Sequence, residues 1–389
     1  MPDSQVPLLS LDRQLAALRP ELDAAIARVI ASGRFILGPE VEAFEEEAAR
    51  RLGVAHAVGV ASGTDAIWLA LKALGLGPGD LVLTSPFTFF ATASAIAGTG
   101  ARAVFADIDP RSYNLDPEAA REVLSGRCPV ARRLGLDPRR IRALLPVHLY
   151  GQAADLDALG TLADACGLAL VEDAAQAMGA AWQGAPIGRT RGQACFSFFP
   201  SKNLGALGDG GLVTTGDRTL AERLRLLRAH GATAKYQHGL LGTNSRLDAL
   251  QAAILSVKLP RLSAWVEARR SHAAAYDEAF AALPGIEPPF ADPRGSHSYH
   301  QYTIRATGGR REALAAHLAS RGIGHAIYYP VPLHMQEALV PLGYLPGDFP
   351  RAETAAAQVL SLPIFPELST EERERVVAAV TSFAHGFGP

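Results

Sequence analysis

Lysine is almost missing from this chain. Of 37 Lys plus Arg in 389 residues, four are lysine: Lys72, Lys202, Lys235 and Lys258. Asparagine is as scarce, at Asn114, Asn203 and Asn244. An Ala-, Leu- and Arg-rich composition points to a GC-rich coding bias. Under it, a surviving Lys or Asn marks a place where Arg or Asp does not serve. Cysteine is also rare. Cys128, Cys166 and Cys195 fall in no CxxC or CxxH spacing, which removes the usual zinc signal, so no metal is expected. Their odd, low number speaks for a reducing cytosol and against a disulfide scaffold. No uncharged apolar run reaches the roughly 18–20 residues that cross a bilayer. Asp12 and Arg13 interrupt the N-terminal region, so no signal peptide is read there. Net charge is −2, which gives no general attraction to nucleic acid or an anionic membrane. The Arg-rich stretch 132–142 reads as a solvated loop or helix end. The expectation is a cytoplasmic globular protein with neither nucleic acid nor membrane as partner.

What remains is ordinary in bulk: 48% hydrophobic and 20% charged residues. The length suggests about two to three domains. Strand-length apolar runs at 55–60, 80–84, 101–106, 141–147, 168–171, 194–198 and 211–215 alternate with helical stretches. The helices at 155–166 and 217–229 open on Asp155 and Asp217, good N-caps. Such alternation predicts an α/β domain with a mainly parallel sheet, whose ligands sit at the carboxyl ends of strands. After Ser245 the texture changes. A long helix or helix pair broken at Pro260 is followed by a strand at 299–305 and helices at 310–321, 351–360 and 370–384. The predicted division is a large domain over 1–245 and a smaller α+β domain over 246–389.

Five features fall where strands should end. Ala61-Ser62-Gly63-Thr64-Asp65 opens a helix after a strand. Free N–H groups there favour a phosphate, although an ordinary capped turn would look the same. Pro86-Phe87-Thr88-Phe89-Phe90 offers an aromatic that could stack on a flat ring or simply fill a core. Glu172-Asp173 ends an apolar strand, where an Asp could pair with a protonated heterocyclic nitrogen. Ser197-Phe198-Phe199-Pro200-Ser201-Lys202 presents a lysine after large apolar residues and before a Gly-rich run. To act as nucleophile or base near neutrality it must fall from about 10.4 to about 7–8. Asn244-Ser245-Arg246 could cap a helix or grip an anion. Jointly, a phosphate cradle, a stacking aromatic, an Asp for a ring nitrogen and a Lys for an aldehyde are what pyridoxal 5′-phosphate requires. Arginine cannot form a Schiff base, which sets Lys202 apart from its surroundings. Lys72 and Lys258 read as solvated helix faces, and Lys235 as a loop residue without a role.

Over nearly its whole length the chain resembles the DegT/StrS-type sugar-nucleotide aminotransferases, of fold-type-I aspartate-aminotransferase architecture. The segments that carry this include Gly33-Arg34-Phe35-Ile36-Leu37-Gly38-Pro39, Val147-His148-Leu149-Tyr150-Gly151, Glu172-Asp173-Ala174-Ala175-Gln176, Ser197 to Lys202, Gly208-Asp209-Gly210-Gly211, Asn244 to Asp248 and Tyr329-Pro330-Val331-Pro332-Leu333-His334. The resemblance implies that Lys202 bonds the cofactor aldehyde and later moves protons. It implies that Asp173 holds the ring nitrogen protonated, Gln176 meets the phenolic oxygen and Phe89 stacks on the ring. Gly63, Thr64 and Ser197 would hold the phosphate. Asn244 would reach the phosphate of a neighbouring subunit, making the active unit a homodimer. L-glutamate would be the amino donor and a keto-sugar nucleotide the acceptor, with Phe35, Arg246, Tyr328 and Tyr329 toward the sugar. The segments 196–202, 244–255 and 328–333 look most like 3-aminotransferases of UDP-2-acetamido-3-keto-glucuronate, where Arg246 would suit the substrate carboxylate. Those enzymes often carry His-Tyr-Pro where this chain has Tyr328-Tyr329-Pro330. A dTDP-3-keto-6-deoxyhexose and then a 4-keto sugar are the alternatives. A regulatory protein lacks its basic recognition helix, a sugar dehydratase of this fold would carry His in place of Lys202, and no G-x-G-x-x-G follows a strand for a nicotinamide.

Overall fold

The apolar runs between residues 55 and 215 form one seven-stranded sheet in the computed structural model, which describes residues 5–189 and 191–386. Its strands are β1 (His56–Val60), β2 (Leu81–Thr84), β3 (Arg102–Phe105), β4 (Ile141–Leu145), β5 (Ala169–Asp173), β6 (Gln193–Ser197) and β7 (Gly211–Thr215). Their order is β1-β7-β6-β5-β4-β2-β3. Strands β3, β2, β4, β5 and β6 run parallel, while β7 runs antiparallel to both β6 and β1. The protein is thus α/β with a mainly parallel central sheet, as its strand–helix alternation predicts.

Both faces of the sheet are covered, which is why its strands read as continuous apolar runs rather than alternating ones. Val82, Phe105, Leu145, Val171 and Val213 pack with Ile67 and Leu71 of helix α1 (Gly63–Ala73). Their neighbours Leu81, Leu83, Val104, Leu144 and Leu170 point the other way, onto Leu159 and Ala163 of the helix Leu156–Cys166. Asp155 caps that helix by accepting from Ala158 N at 3.0 Å, and Asp217 caps Arg218–Leu227 by accepting from Thr219 N and Leu220 N. Each such cap contributes about 1 kcal/mol.

Two helices, Leu11–Ser32 and Pro39–Leu52, precede the sheet and were not foreseen. Helix Ala249–Lys258, assigned by sequence to the small domain, lies on both of them. Its Ala249 and Ala253 pack on Ala25 and Val29, and its Ala252 and Leu255 join Val41 and Phe44. The break at Pro260 is a single turn, Leu259–Arg261, before helix Leu262–Phe280. A second, antiparallel sheet follows in the order β8 (Ile286–Glu287), β9 (Tyr302–Ala306), β10 (Val359–Leu362). The predicted helix 351–360 therefore stops early. Pro350–Gln358 is helical, and the β-branched Val359 starts the buried β10.

One lysine assignment is overturned. Lys258 is 1% exposed rather than solvated. Its Nζ donates to Gly205 O at 2.7 Å, and burial pulls it down to about 8. The Gly205 loop takes up the amine, and Glu367 acts on it, on a face that a lone helix would have left wet.

Candidate active site

The carboxyl ends of β1, β5 and β6 open on one cavity of about 500 Å³. Its wall includes Ser62, Gly63, Thr64, Phe89, Asp173 and Lys202. At β1 the chain turns directly into α1. The Ser62 hydroxyl accepts from Asp65 N at 3.1 Å, and Ser62 O accepts from Ala66 N. That leaves the N–H groups of Gly63 and Thr64 for an anion at the helix N-terminus. A Cβ on Gly63 would lie 2.6 Å from Ser197 Cβ, so only glycine lets β1 and β6 converge here. We expect Gly63→Ala to weaken phosphate binding through overpacking of about 1–3 kcal/mol, roughly a 5- to 150-fold rise in the cofactor Kd. Fluorescence titration of cofactor into apoprotein measures it, and an unchanged Kd would count against the cradle.

At the end of β5, alternation separates the two carboxylates. Glu172 faces inward, where Nε2 of the buried His148 lies 3.0 Å from its Oε2. Nδ1 of His148 accepts from Ala154 N, so Nε2 carries the proton and donates to Glu172. Asp173 faces the cavity while only 5% exposed. Its Oδ2 accepts from Thr92 Oγ1 at 2.7 Å and its Oδ1 from Ala175 N at 3.2 Å. Burial raises its pKa, against these hydrogen bonds and the charge of Lys202. Thr92 is itself within 3.0 Å of Thr88 Oγ1. Gln176 is fixed at both ends. Its Oε1 accepts from Tyr150 N at 2.6 Å and its Nε2 donates to Tyr329 Oη at 3.0 Å.

Lys202 follows β6. Phe198 is fully buried and its N–H donates to Gly210 O, which closes the loop. Lys202 N donates to Phe199 O in a tight turn, and Asn203 Nδ2 donates to the carbonyl of the buried Ser298 at 2.9 Å. Gly205 passes so near Pro200 O that a Cβ would sit 2.2 Å from it. The amine lines the cavity, and burial pulls it down to about 8. Asp173 opposes that shift, so the two groups feel each other across the cavity. The required fall toward neutrality thus has burial as its cause.

Of the residues singled out by sequence, Gly63, Thr64, Phe89, Asp173, Gln176, Ser197, Lys202, Tyr328 and Tyr329 all line this cavity. Phe89 is exposed within it, its ring 5.9 Å from that of Tyr329, whereas Phe87 of the same segment is core. Phe35, Asn244 and Arg246 are not among the lining residues. They belong to one neighbouring surface, joined by the bridge between Ile36 and Asp248 and by Ala249 N donating to Phe35 O. Phe35 and Asn244 are exposed there. Sequence reasoning missed Thr92, Tyr150 and His148 as supports. Thr92 lies one helical turn beyond Thr88, a spacing that could have flagged it.

A flat, anionic ring compound fits this donor set. The N–H pair at Gly63 and Thr64 suits its phosphate, Asp173 retains accepting capacity toward a ring nitrogen, and the Lys202 amine has no side-chain partner among the described residues.

The model of the DegT/DnrJ/EryC1/StrS aminotransferase family matches residues 17–381. The chain is 47% identical to the dTDP-3-amino-3,4,6-trideoxy-alpha-D-glucose transaminase of Streptomyces venezuelae, over 98% of this chain and 96% of that one. It is 46% identical to a pleiotropic regulatory protein of Geobacillus stearothermophilus, over 98% and 99%. It is 40% identical to the UDP-2-acetamido-2-deoxy-3-oxo-D-glucuronate aminotransferase of Pseudomonas aeruginosa, over 97% and 100%. The solved structure of S. venezuelae DesV in complex with a ketimine intermediate superposes with a TM-score of 0.92 at 48% identity, covering 98% of each chain.

Proposed function

Because the chain belongs to the DegT/DnrJ/EryC1/StrS aminotransferase family, which works with pyridoxal phosphate, we propose that it aminates a keto-sugar nucleotide at C3 with L-glutamate as donor. The observation that carries this reading is the meeting of Lys202 and Asp173 in one cavity beside the Gly63–Thr64 anion cradle. Both relatives named above with a defined sugar act at position 3, which supports the keto position. A UDP-2-acetamido-3-keto-glucuronate-like acceptor is the first candidate, and a dTDP-3-keto-6-deoxyhexose the second.

When bound, pyridoxal phosphate supplies an electrophilic aldehyde and a ring that takes up the electrons of a carbon losing its proton. The chain's own groups do the rest. Gly63, Thr64 and Ser197 would hold the phosphate. Gln176, fixed by Tyr150 and Tyr329, would orient the ring, with Phe89 beside it. Asp173 would keep a proton on the ring nitrogen by its negative charge. Lys202, close to neutral pH in its ionisation, takes the proton from the donor's α-carbon and returns one in the opposite half of the cycle. Glutamate leaves as a 2-oxo acid, and the sugar carbonyl becomes an amine.

The exposed Phe35 and Asn244, with the half-buried Arg246 near them, support a homodimer in which each copy completes the other's site. Three free cysteines support the cytoplasm as its location, and no helix among the described residues is long and apolar enough to cross a membrane. A glutamate-dependent amination assay over 3-keto and 4-keto sugar nucleotides, one of them a uronic acid, tests the reading. Arg246→Ala should lower kcat/KM for the uronic acid about 10- to 100-fold, the worth of a charge-assisted pair, and leave neutral sugars alone. Turnover of 4-keto sugars only would overturn C3, and a silent Arg246→Ala would overturn the carboxylate assignment.

A further inference from the structure

Where the cavity meets the small antiparallel sheet, its wall is made by Arg269, His300, Gln301, Leu362 and Ile364. Arg269 projects from helix Leu262–Phe280 and is 3% exposed. Its Nη1 donates to the carbonyls of Tyr299 at 3.1 Å and Ile364 at 2.7 Å. Its Nε has no hydrogen-bond partner, and among the described residues no carboxylate pairs with it at ion-pair distance. Two more buried atoms of the same wall are equally unmatched: His300 Nδ1 and Gln301 Oε1. What marks this wall is a buried guanidinium that lines the cavity with no carboxylate paired to it among the described residues; beside it, Gln301 can offer its Nε2 amide, and His300 a ring N–H, to an anion.

The charges around them define that ligand. Burial, helped by the charges of Lys202 and Arg269, holds the His300 imidazole well below the usual histidine range, which keeps it neutral. Glu367 acts on Arg269 from a distance but shares its charge with Arg13 and Lys258. The wall is therefore a buried cation with a neutral imidazole and an amide beside it, all near Lys202. A guanidinium in such a setting suits a planar carboxylate.

We propose that Arg269, flanked by His300 and Gln301, receives a carboxylate of the amino donor. The proposal rests on the reading that the donor is an amino acid. In an α-amino acid the carboxylate is attached to the carbon that bears the amine, so it must lie close to the lysine at which that amine reacts. Among the lysines only Lys202 lines the cavity. In a 3-keto uronic acid the carboxylate is instead separated from the reacting carbon by two ring carbons, so it need not reach this wall.

The test uses the holoenzyme and Arg269→Lys, which keeps a cation able to reach a backbone carbonyl. Calorimetric titration with succinate reads carboxylate binding without turnover, because succinate carries no amine. Rapid-mixing absorbance reads the two half-reactions separately, glutamate with the aldehyde form and keto-sugar nucleotides, neutral and uronic, with the amine form. Arg269→Lys should weaken succinate about 10- to 100-fold and lower kcat/KM for glutamate as much, with both sugar half-reactions within about twofold of wild type. An equal loss in both half-reactions would mark a merely structural residue and overturn the proposal. So would a loss confined to the uronic sugar, or unchanged succinate binding. Failure of glutamate with intact, Arg269-dependent succinate binding would overturn the donor named above and leave the carboxylate site standing. If Arg269→Lys does not fold, Gln301→Leu leaves the carbonyl bonds in place. It should weaken succinate several-fold, and a silent result overturns the proposal.

Discussion

Replacing Lys202 with alanine should leave a folded protein that binds pyridoxal phosphate reversibly, cannot be fixed to it by borohydride, and has lost at least about 10⁴-fold in turnover. That figure is the upper range of what a placed acid–base group contributes, and the loss of the covalent attachment adds to it. Mass spectrometry after borohydride and a single-turnover assay check the two parts, and residual turnover within 100-fold of wild type would remove Lys202 from the chemistry. The same change has a pH signature in the apoprotein. The folded amine sits near 8, below the free value of about 10.4, so the folded state binds fewer protons than the unfolded state between those pH values. Burying the charged amine therefore costs stability below pH 8, and that cost fades as pH rises toward 10.4. Lys202→Ala should raise the apoprotein's Tm at pH 7 and bring little gain at pH 10. A gain that grows with pH would mean the lysine is not desolvated. Lys258, with the same depression, is present in both proteins and cancels.

Asp173→Asn should be the second most damaging change. Asparagine fills the same space and can still accept from Thr92, but it has no charge to keep a proton on a ring nitrogen. Removing one member of a buried charged pair costs about 3–5 kcal/mol, so kcat/KM for either half-reaction should fall about 10²- to 10⁴-fold. Stability of the apoprotein should not fall, because burial already disfavours the ionised carboxylate. Glu172→Gln is the control. It faces His148 on the other side of β5, so its effect should appear in Tm rather than in the half-reactions. If Asp173→Asn stays within tenfold of wild type, the role assigned to it fails.

The strands were legible because a parallel sheet covered on both faces needs short, wholly apolar runs, and Gly211–Thr215 matches its predicted span residue for residue. The convergence of candidate residues at their ends was legible for a related reason, since polar residues that end such runs have few structural uses. What stayed hidden depends on partners distant in sequence. Lys258 looks solvated until the Gly205 loop, 53 residues earlier, accepts from its amine. Glu172 and Asp173 look equivalent until strand alternation and His148 divide them. Arg269 sits among other polar residues of a helix, and nothing local shows that its guanidinium ends on the carbonyls of Tyr299 and Ile364. Val359 continues a helical pattern in sequence, and its place as a strand residue shows only in the pairing of 359–362 with 302–305.

Gly211 stands opposite Val60 on one side and Ser197 on the other, and a Cβ there would lie 2.3 Å from Ser62 O. The two strands whose ends form the anion cradle are thus not neighbours; the reversed strand β7 lies between them and begins where they finish. A parallel strand in that place would have to leave through the same space toward its own crossover helix. By entering the sheet there instead, with no side chain, β7 leaves room for a phosphate to be held at Gly63 and Thr64. The sheet is therefore unequal in its tolerance of change. Strands could be added beyond β3 without touching this cavity, whereas the order and direction of β1, β7 and β6 shape the candidate cradle itself.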